Sequence, residues 1–226
     1  MKKPVFERVP EKELMDDVSQ ATAYANANFE EPHEFFIELL NSYVSNLKHS
    51  KLLDIGTGDG DIAIRVAKKF NDSRIYGFDG SLPMLDLAKR KINENNLSER
   101  IHLKHSLIQD IPYKEISFDG IICNSVLHHV NDTKSYWNYV INKAKEKSWF
   151  FIMDLARPNS ISQAESLVTL YAKNESNQLK LDFYNSLLAA YTIEEVKLQL
   201  SQACDGEYEA IMVSDRHFIV FSDTFA

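Results

Sequence analysis

The sequence has little cysteine: Cys123 and Cys204 are the two in 226 residues. They lie far apart, form no CxxC pair and stand in no cysteine–histidine cluster of metal-ligand spacing, so neither a disulfide framework nor a structural metal site is expected. Seven glycines and six prolines also argue against a low-complexity chain. We therefore expect a cytoplasmic protein with free thiols and no bound metal.

Long hydrophobic runs and an excess of positive charge are also lacking. No apolar run reaches the roughly 18 residues of a membrane span, and residues 1–17 contain no apolar core of a signal peptide. A net charge of −8 gives no positive field to attract nucleic-acid backbones or anionic membranes. We expect neither a membrane nor a nucleic acid as a partner.

One stretch organises the rest of the chain: residues 51–70, KLLDIGTGDGDIAIRVAKKF. An apolar run ends at Ile55, glycines follow at positions 56, 58 and 60, and apolar residues then recur at helical spacing. The pattern predicts a strand, a tight loop and the first turn of a helix. Glycine lets a backbone approach a ligand closely, and the start of a helix offers unpaired N–H groups. We expect a ligand to bind at this loop.

The charge around the loop indicates which ligand it suits. A dinucleotide-binding loop has the spacing GxGxxG and brings bare N–H groups to a pyrophosphate. Here the spacing is GxGxG, with Asp54 before it and Asp59 inside it. Two carboxylates would repel a pyrophosphate and attract an ammonium or a sulfonium group. The loop therefore favours a cationic nucleoside.

A further carboxylate, Asp79, ends the strand predicted over residues 74–79. Its offset from the loop is close to that at which a carboxylate binds ribose in nucleotide-binding α/β sheets. Two vicinal hydroxyls can donate to one carboxylate. The alternative role is to cap the next helix, which Ser81 suits better. We predict that Asp79 binds ribose.

Two motifs carry a resemblance to a known family. Asp54 with the GxGxG loop resembles the first motif of the class I, Rossmann-like S-adenosylmethionine-dependent methyltransferases of small-molecule type, and residues 117–130, SFDGIICNSVLHHV, resemble their fourth motif. The resemblance covers roughly residues 51–154. It implies an α/β fold: a doubly wound, seven-stranded, mainly parallel sheet in the order 3-2-1-4-5-7-6, with a helical lid. It also implies S-adenosyl-L-methionine as cofactor, S-adenosyl-L-homocysteine as product, and methyl transfer to an O, N, S or C nucleophile.

The resemblance and the loop together give a set of cofactor contacts. By resemblance, Tyr24 touches the methionine end of the cofactor and Met84 lies against the adenine, with core packing as the alternative for Met84. The first residues after the fourth strand would pass under the sulfonium. The expected cofactor contacts are Tyr24, Asp54, Gly56, Thr57, Gly58, Gly60, Asp79, Gly80, Met84, Ser106, Leu107, Asn124, Ser125 and His129.

Recognition of the adenine departs from the family pattern. The family often has an acidic residue after the third strand that accepts from the adenine amino group, and Ser106 stands at that position. The Ser106 hydroxyl or the Leu107 N–H must then recognise the base. Otherwise Gln109 or Asp110 must reach into the site.

The acceptor end of the site is less determined. His128 and His129 are the catalytic candidates because an imidazole can deprotonate a nucleophile near neutral pH; the alternative is that one caps a turn and the other packs. In-line placement of donor and acceptor could also suffice without a base. The candidates for binding the acceptor are Tyr24, His128, Arg157, Arg216 and His217. Arg157 could instead form a surface ion pair, and the last two could belong to a tight turn.

The length suits one domain with a sizeable core, which we predict over residues 1–226. Residues 1–50 would form a helical cap, 51–154 the cofactor-binding core, 155–203 a helical lid and 204–226 a closing hairpin. Further helices are expected at residues 10–15, 19–28, 31–43, 132–147, 160–173, 175–190 and 192–203. The last of these would begin with a Thr192–Glu195 capping box. Further strands are expected at residues 101–105, 118–123, 149–154, 208–213 and 216–221.

The predicted partner is a small-molecule acceptor, and the protein is expected to be a monomer or a homodimer. Three alternatives remain open from the sequence. The first is an NAD-dependent oxidoreductase, and the second is a different chemistry on the same cofactor. The third is a regulatory protein that binds the cofactor without turnover.

Overall fold

The strands of the sheet arise from short apolar runs, and the helices between them from amphipathic segments. The computed structural model describes residues 6–11, 15–25, 27–44, 47, 50–111, 117–203 and 208–222. Its strands are β1 (Lys51–Ile55), β2 (Arg74–Asp79), β3 (Ile101–His105), β4 (Phe118–Asn124), β5 (Ala144–Leu155), β6 (Glu209–Met212) and β7 (His217–Ser222). Its helices are α1 (Val18–Ala25), α2 (Glu30–Tyr43), α3 (Asp61–Lys69), α4 (Leu82–Glu94), α5 (Thr133–Lys143), α6 (Ile161–Tyr171), α7 (Asn177–Ala189) and α8 (Ile193–Ala203).

Within the described residues, seven strands form one sheet in the order β3-β2-β1-β4-β5-β7-β6. Strands β1 to β5 pair in parallel, and β7 runs antiparallel to both β5 and β6. The predicted strand order and the closing hairpin are confirmed. The order reverses beside β1, since the chain moves outward through β2 and β3 and returns to build β4 on the other side. Open α/β sheets bind ligands at such a point, outside the carboxyl ends of the strands.

The two largest apolar clusters lie one on each face of the sheet, and a smaller third cluster joins α6 and α7 to the end of β5. Successive residues of β1 divide between the two largest clusters: Leu52 belongs to the one with Phe36 and Trp149, and Leu53 to the one with Trp137. Burial on both faces explains why these strands read as nearly continuous apolar runs. None of the helices in the described part of the chain is long and apolar enough to cross a membrane.

Several boundaries differ from those predicted. Strand β5 begins at Ala144 rather than at 149, so the helix before it ends at Lys143. Helix α1 ends at Ala25. The capping box at the start of α8 is confirmed, because the Glu195 N–H donates to the Thr192 hydroxyl (3.2 Å) and the Thr192 N–H donates to the Glu195 carboxylate (2.9 Å).

The prediction of a helix over residues 10–15 is wrong for the residues of that range that the structure describes. Pro10, Glu11 and Met15 are not helical, and residues 12–14 lie outside the described residues. The segment is instead held along the end of α7: the Val9 N–H donates to the Leu188 carbonyl at 3.0 Å. A contact with an element so distant in the chain is one that a local sequence pattern does not report.

Candidate functional site

A cleft of about 660 Å³ lies at the carboxyl ends of β1 to β4, a volume typical of small-molecule sites. Its lining includes residues that the sequence alone had marked. The predicted residues that line it are Tyr24, Asp54, Gly56, Thr57, Gly58, Asp79, Gly80, Met84, Ser106, Leu107, Asn124, Ser125 and His129. The structure therefore brings the glycine loop, both predicted carboxylates and the start of the β4 turn into one cavity.

The loop after β1 has the conformation that its glycines permit. Gly56, Gly58 and Gly60 have φ of +65°, +55° and +80°, a region that disfavours other residues. The N–H groups of Gly56 and Thr57 both donate to the Phe78 carbonyl, at 2.8 and 3.0 Å. The loop is thus held against the end of β2.

Two of these glycines also permit close packing. A Cβ on Gly56 would lie 2.3 Å from Cγ2 of Val126, which also lines the cleft. A Cβ on Gly60 would lie 3.2 Å from that of Ala88 in α4. Gly60 does not line the cleft. Its role in the structure is to begin α3 and to let α4 pack against that turn, rather than the ligand contact that was predicted.

Asp54 is buried beneath the loop, and the Thr57 hydroxyl donates to its carboxylate at 2.6 Å. Burial raises the pKa of Asp54 to about 7, and the neighbouring charge of Asp79 contributes in the same direction. The side chain therefore titrates near neutral pH. A cation placed in the cleft would favour the ionised form and lower this pKa.

Asp79 joins the loop to the start of α4. Its two carboxylate oxygens accept from the N–H groups of Gly58 and Ser81, each at 2.8 Å. Each oxygen keeps a second lone pair with which to accept from a ligand hydroxyl. The cap of α4 is the Ser81 hydroxyl, which accepts from the Met84 N–H at 3.3 Å, as predicted. Burial raises the pKa of Asp79.

The expectation for Asp59 needs correction. It lines the cleft, yet its carboxylate forms an ion pair with the Lys91 ammonium of α4 at 2.5 Å. Its negative charge is therefore neutralised within the protein. Asp61 also lines the cleft and is paired with Arg65 of α3, and Asp132 there accepts from Ser135. Of the carboxylates that the sequence marked, Asp54 and Asp79 are the ones left to attract a cation.

The wall after β4 offers an acceptor atom. Asn124 lines the cleft, and its Oδ1 is buried with no hydrogen-bond partner among the described residues. Ser125 has φ of +56°, and its N–H donates to the Met153 carbonyl at 2.9 Å, which fixes the turn. A buried acceptor that the protein leaves unpaired suits a ligand donor such as an ammonium group.

At the far end, two of the four candidates for adenine recognition reach the cleft. Ser106 and Leu107 line it, and the Ser106 hydroxyl donates to the Leu107 carbonyl at 3.0 Å. Asp110 is exposed and does not line it, and the Gln109 side chain lies outside the described residues. Met84 also lines the cleft, and its Cε would be 3.3 Å from a Cβ on Gly58.

The N-terminal segment closes one side of the cleft. Tyr24 lines it and contacts Phe29 with ring centroids 4.6 Å apart, and burial raises the pKa of Tyr24. Met15 also lines it, and its carbonyl accepts from the Ser81 hydroxyl at 2.7 Å. No residue from 155–203 contributes to the lining. Met15 and Tyr24 of the segment predicted as a cap therefore line the cleft, and the helices predicted as a lid contribute no residue to it.

The structure separates the acceptor-end candidates. His129 lines the cleft, and His128 is buried behind it with Nδ1 2.6 Å from Oδ1 of Asp154. Arg157, Arg216 and His217 lie outside the lining. These three side chains contact protein groups outside the cleft.

Each of those three has its own contacts. Arg157 forms an ion pair with Glu195 at 2.5 Å, and Arg216 forms one with Asp215 at 3.1 Å. His217 lies close to the Ser214 hydroxyl, and burial lowers its pKa to about 4. The turn interpretation therefore accounts for residues 214–217 better than an acceptor role does.

Sequence reasoning missed other residues of the lining. Tyr136 and Tyr139 of α5 enter the cleft, with Met15, His33, Val126 and Ile108. The spacing of the two tyrosines, three residues apart, places them on one helix face and was the available signal. Nothing in the sequence indicated that this face meets the cleft.

Comparison with known proteins gives the following likenesses. A family model described as a methyltransferase domain matches residues 46–203. The demethylmenaquinone methyltransferase of Lactobacillus johnsonii is 31% identical over 109 residues, which are 48% of this chain and 45% of that protein. The chain thus spans about half the length of such curated relatives.

Two solved structures share the fold. An S-adenosylmethionine-dependent methyltransferase from Aquifex aeolicus superimposes with a TM-score of 0.66 at 18% identity, covering 91% of this chain and 97% of that one. The plantazolicin methyltransferase BamL, solved with a desmethylplantazolicin analogue and S-adenosylhomocysteine, gives 0.68 at 15% identity, covering 90% and 89%. At these identities the likeness concerns the fold.

Proposed function

The chain belongs to the methyltransferase domain family, and on this premise we propose that it transfers the methyl group of S-adenosyl-L-methionine to a small-molecule acceptor and releases S-adenosyl-L-homocysteine. One observation carries the proposal. Asp54 and Asp79 border a single cleft, with a backbone of left-handed glycines between them. That arrangement suits a nucleoside with a positive charge at one end and vicinal hydroxyls in the middle.

Different residues of the cleft would bind different parts of the cofactor. Asp79 would accept from the two ribose hydroxyls with the lone pairs that Gly58 and Ser81 leave available. Asp54 and the Asn124 Oδ1 would face the ammonium of the methionine portion. Met84, Ser106 and Leu107 would enclose the adenine, and Tyr24 would cover the methionine end from the cap.

The bound cofactor supplies an electrophilic methyl group on a sulfonium. The protein would hold the acceptor in line with it and exclude water, chiefly with Tyr24 and the tyrosines of α5. Alignment in a dry cavity contributes much of the acceleration, so a dedicated base is not required. His129 is the member of the predicted catalytic pair that lines the cleft.

We also propose the remaining organisation that the sequence suggested. Residues 1–226 would act as one domain, with 1–50 as the cap and 51–154 as the cofactor-binding core. Parts of these ranges, among them 204–207 and 223–226 of the closing hairpin, lie outside the described residues. A cytoplasmic location and a monomeric or homodimeric state belong to the same proposal, and light scattering after size exclusion tests the latter.

A turnover assay tests the proposed reaction. The protein is incubated with S-adenosylmethionine and a panel of quinones, phenols, amines and thiols, and both products are measured by mass spectrometry. We expect S-adenosylhomocysteine to form together with an acceptor that gains one methyl group. A gain of another mass would indicate different chemistry on the cofactor. Cofactor binding without S-adenosylhomocysteine across the panel would favour a regulatory role.

The affinity for S-adenosylmethionine is expected to rise with pH. The unliganded pKa of Asp54 is about 7, so at lower pH the cofactor must displace a proton from this carboxyl before it meets a negative charge. Affinity should therefore increase by up to about tenfold per pH unit below neutrality and level off above it. Calorimetry between about pH 5.5 and 8.5 measures this.

The isosteric variant Asp54→Asn is the control for that series. It cannot ionise, so it should bind the cofactor weakly and with a flatter pH dependence. Wild-type affinity that does not change through pH 7, or a variant that keeps the full pH dependence, would show that Asp54 does not face the positive end of the cofactor.

A further inference from the structure

Three side chains with metal-ligating atoms meet beside the cleft: Glu11, His128 and His129. One ligand atom from each lies within 4.8 Å of the others. Oε1 of Glu11 is 3.4 Å from Nε2 of His128 and 3.2 Å from Nδ1 of His129. Glu11 belongs to the N-terminal segment, whereas the histidines belong to the turn after β4, so the cluster joins two distant parts of the chain.

The partner of His128 fixes which of its nitrogens can act as a ligand. Asp154 lies 2.6 Å from Nδ1 and also accepts from the backbone N–H groups of His128 (3.2 Å) and Leu155 (2.6 Å). In the neutral tautomer in which Nδ1 donates to this carboxylate, Nε2 carries the lone pair and lies 3.4 Å from Glu11. Metal-bound histidines usually donate their other ring N–H to a carboxylate, a backbone carbonyl or a water, and Asp154 would supply the first of these.

The charges around the cluster favour a cation. Glu11 and Asp154 contribute two carboxylates. A neighbouring cation is Arg8, whose guanidinium donates to the carbonyl oxygens of Ala189 (2.5 Å) and His128 (2.8 Å). A carboxylate oxygen and an imidazole lone pair at 3.4 Å repel each other unless a positive charge, a proton or a metal ion, lies between them.

We propose that Glu11, His128 and His129 bind a divalent transition-metal ion, with Zn²⁺ as the best fit. Zinc binds nitrogen and oxygen at about 2.0–2.1 Å in a tetrahedron, which sets neighbouring ligand atoms about 3.3 Å apart. The 3.4 and 3.2 Å separations at Glu11 match that edge. Two histidines and one glutamate are a ligand set of zinc sites that keep a fourth position open.

The metal ion would have a structural role beside the cleft, and its binding does not depend on the proposed methyl transfer. His129 lines the cleft, so the ion would lie in its wall, and Glu11 would tie the capping segment to the core through it. The ion also replaces a role predicted from the sequence, since a histidine bound to a metal is no longer a free base. No motif indicated the site, because its third ligand stands far from the adjacent histidines in the chain.

Zinc titration of the 226-residue protein tests the proposal. The protein is stripped with a chelator, and ZnCl₂ is added in a calorimeter to the wild type and to Glu11→Gln, His129→Ala and Asp154→Asn. We expect one ion per wild-type chain and an affinity at least tenfold lower for Glu11→Gln and His129→Ala. For Asp154→Asn we expect an affinity about 10–100-fold lower, because Asp154 orients His128 without touching the ion. His102→Ala, which removes an exposed histidine on β3, should match the wild type.

Two controls make the outcome unambiguous. Circular dichroism shows that each variant is folded, and Co²⁺ in place of Zn²⁺ should give the strong visible absorption of a four-coordinate site in the wild type and lose it in Glu11→Gln. Absence of stoichiometric Zn²⁺ binding to the wild type would overturn the proposal and leave a cluster held by protons. Equal affinities for the wild type, Glu11→Gln and His129→Ala would overturn it as well, whatever calorimetry with S-adenosylmethionine shows.

Discussion

Replacing Gly56 with alanine should weaken cofactor binding by on the order of 100-fold and lower the free energy of unfolding by about 3 kcal/mol. Two costs combine. The backbone at Gly56 has φ of +65°, which strains any residue with a Cβ, and that Cβ would lie 2.3 Å from Cγ2 of Val126. Because Gly56 and Val126 face each other in the cleft lining, relief of the clash must move one wall of the site.

A double variant separates the clash from the backbone strain. Val126→Ala removes the atom that the new Cβ would meet, so Gly56→Ala with Val126→Ala should recover part of the stability and of the affinity, and Val126→Ala alone serves as the reference. Urea unfolding and calorimetry with S-adenosylmethionine give both quantities. If Gly56→Ala binds S-adenosylmethionine as tightly as the wild type does, the cofactor does not depend on the close approach of Gly56 to Val126. If the double variant recovers nothing, the contact with Val126 is not the cause.

Replacing Asp79 with alanine should weaken S-adenosylmethionine binding by about 1–3 kcal/mol, roughly 5- to 150-fold. The variant removes the predicted acceptor of the ribose hydroxyls. It also leaves the N–H groups of Gly58 and Ser81 without the carboxylate to which they donate at 2.8 Å, so the loop loses one of its attachments to β2 and keeps those to the Phe78 carbonyl. Calorimetry with S-adenosylmethionine measures the affinity.

Two further variants isolate the role of Asp79. Asp79→Asn keeps the shape and one acceptor oxygen, so it should lose less affinity than the alanine variant. Asp86→Ala, which removes an exposed carboxylate from α4, should bind as the wild type does. An unchanged dissociation constant for Asp79→Ala would remove the ribose assignment, and an equal loss for Asp86→Ala would attribute the effect to net charge.

The parts of the fold that were predicted correctly from pattern are those determined by residues close together in the sequence. The run at residues 51–55, the glycines after it and the Thr192–Glu195 box act through neighbours in the chain, and all three appear where they were predicted. The strand order came from resemblance rather than from pattern. The early start of β5 was missed because residues 144–147, AKEK, lack the apolar character on which strand prediction depends.

The site was predictable where one backbone segment defines it and not where side chains from distant segments meet. The loop, Asp54 and Asp79 were found because each occupies the end of a parallel strand. The Asp59–Lys91 ion pair was not, since its two residues lie on different elements and only packing brings them together. The same holds for Glu11 beside His128 and His129, and for the closure of the cleft by Met15 and Tyr24.

The central claim is that the cleft recognises a cationic sulfur nucleoside, and a calorimetric titration of the wild type tests it most directly. S-adenosylmethionine, S-adenosylhomocysteine and NAD⁺ are titrated in turn at about pH 8, where Asp54 is mostly ionised. We expect one equivalent of S-adenosylmethionine to bind, S-adenosylhomocysteine to bind at the same site, and NAD⁺ to give no heat of binding. Tight binding of NAD⁺ with no response to S-adenosylmethionine would contradict the account.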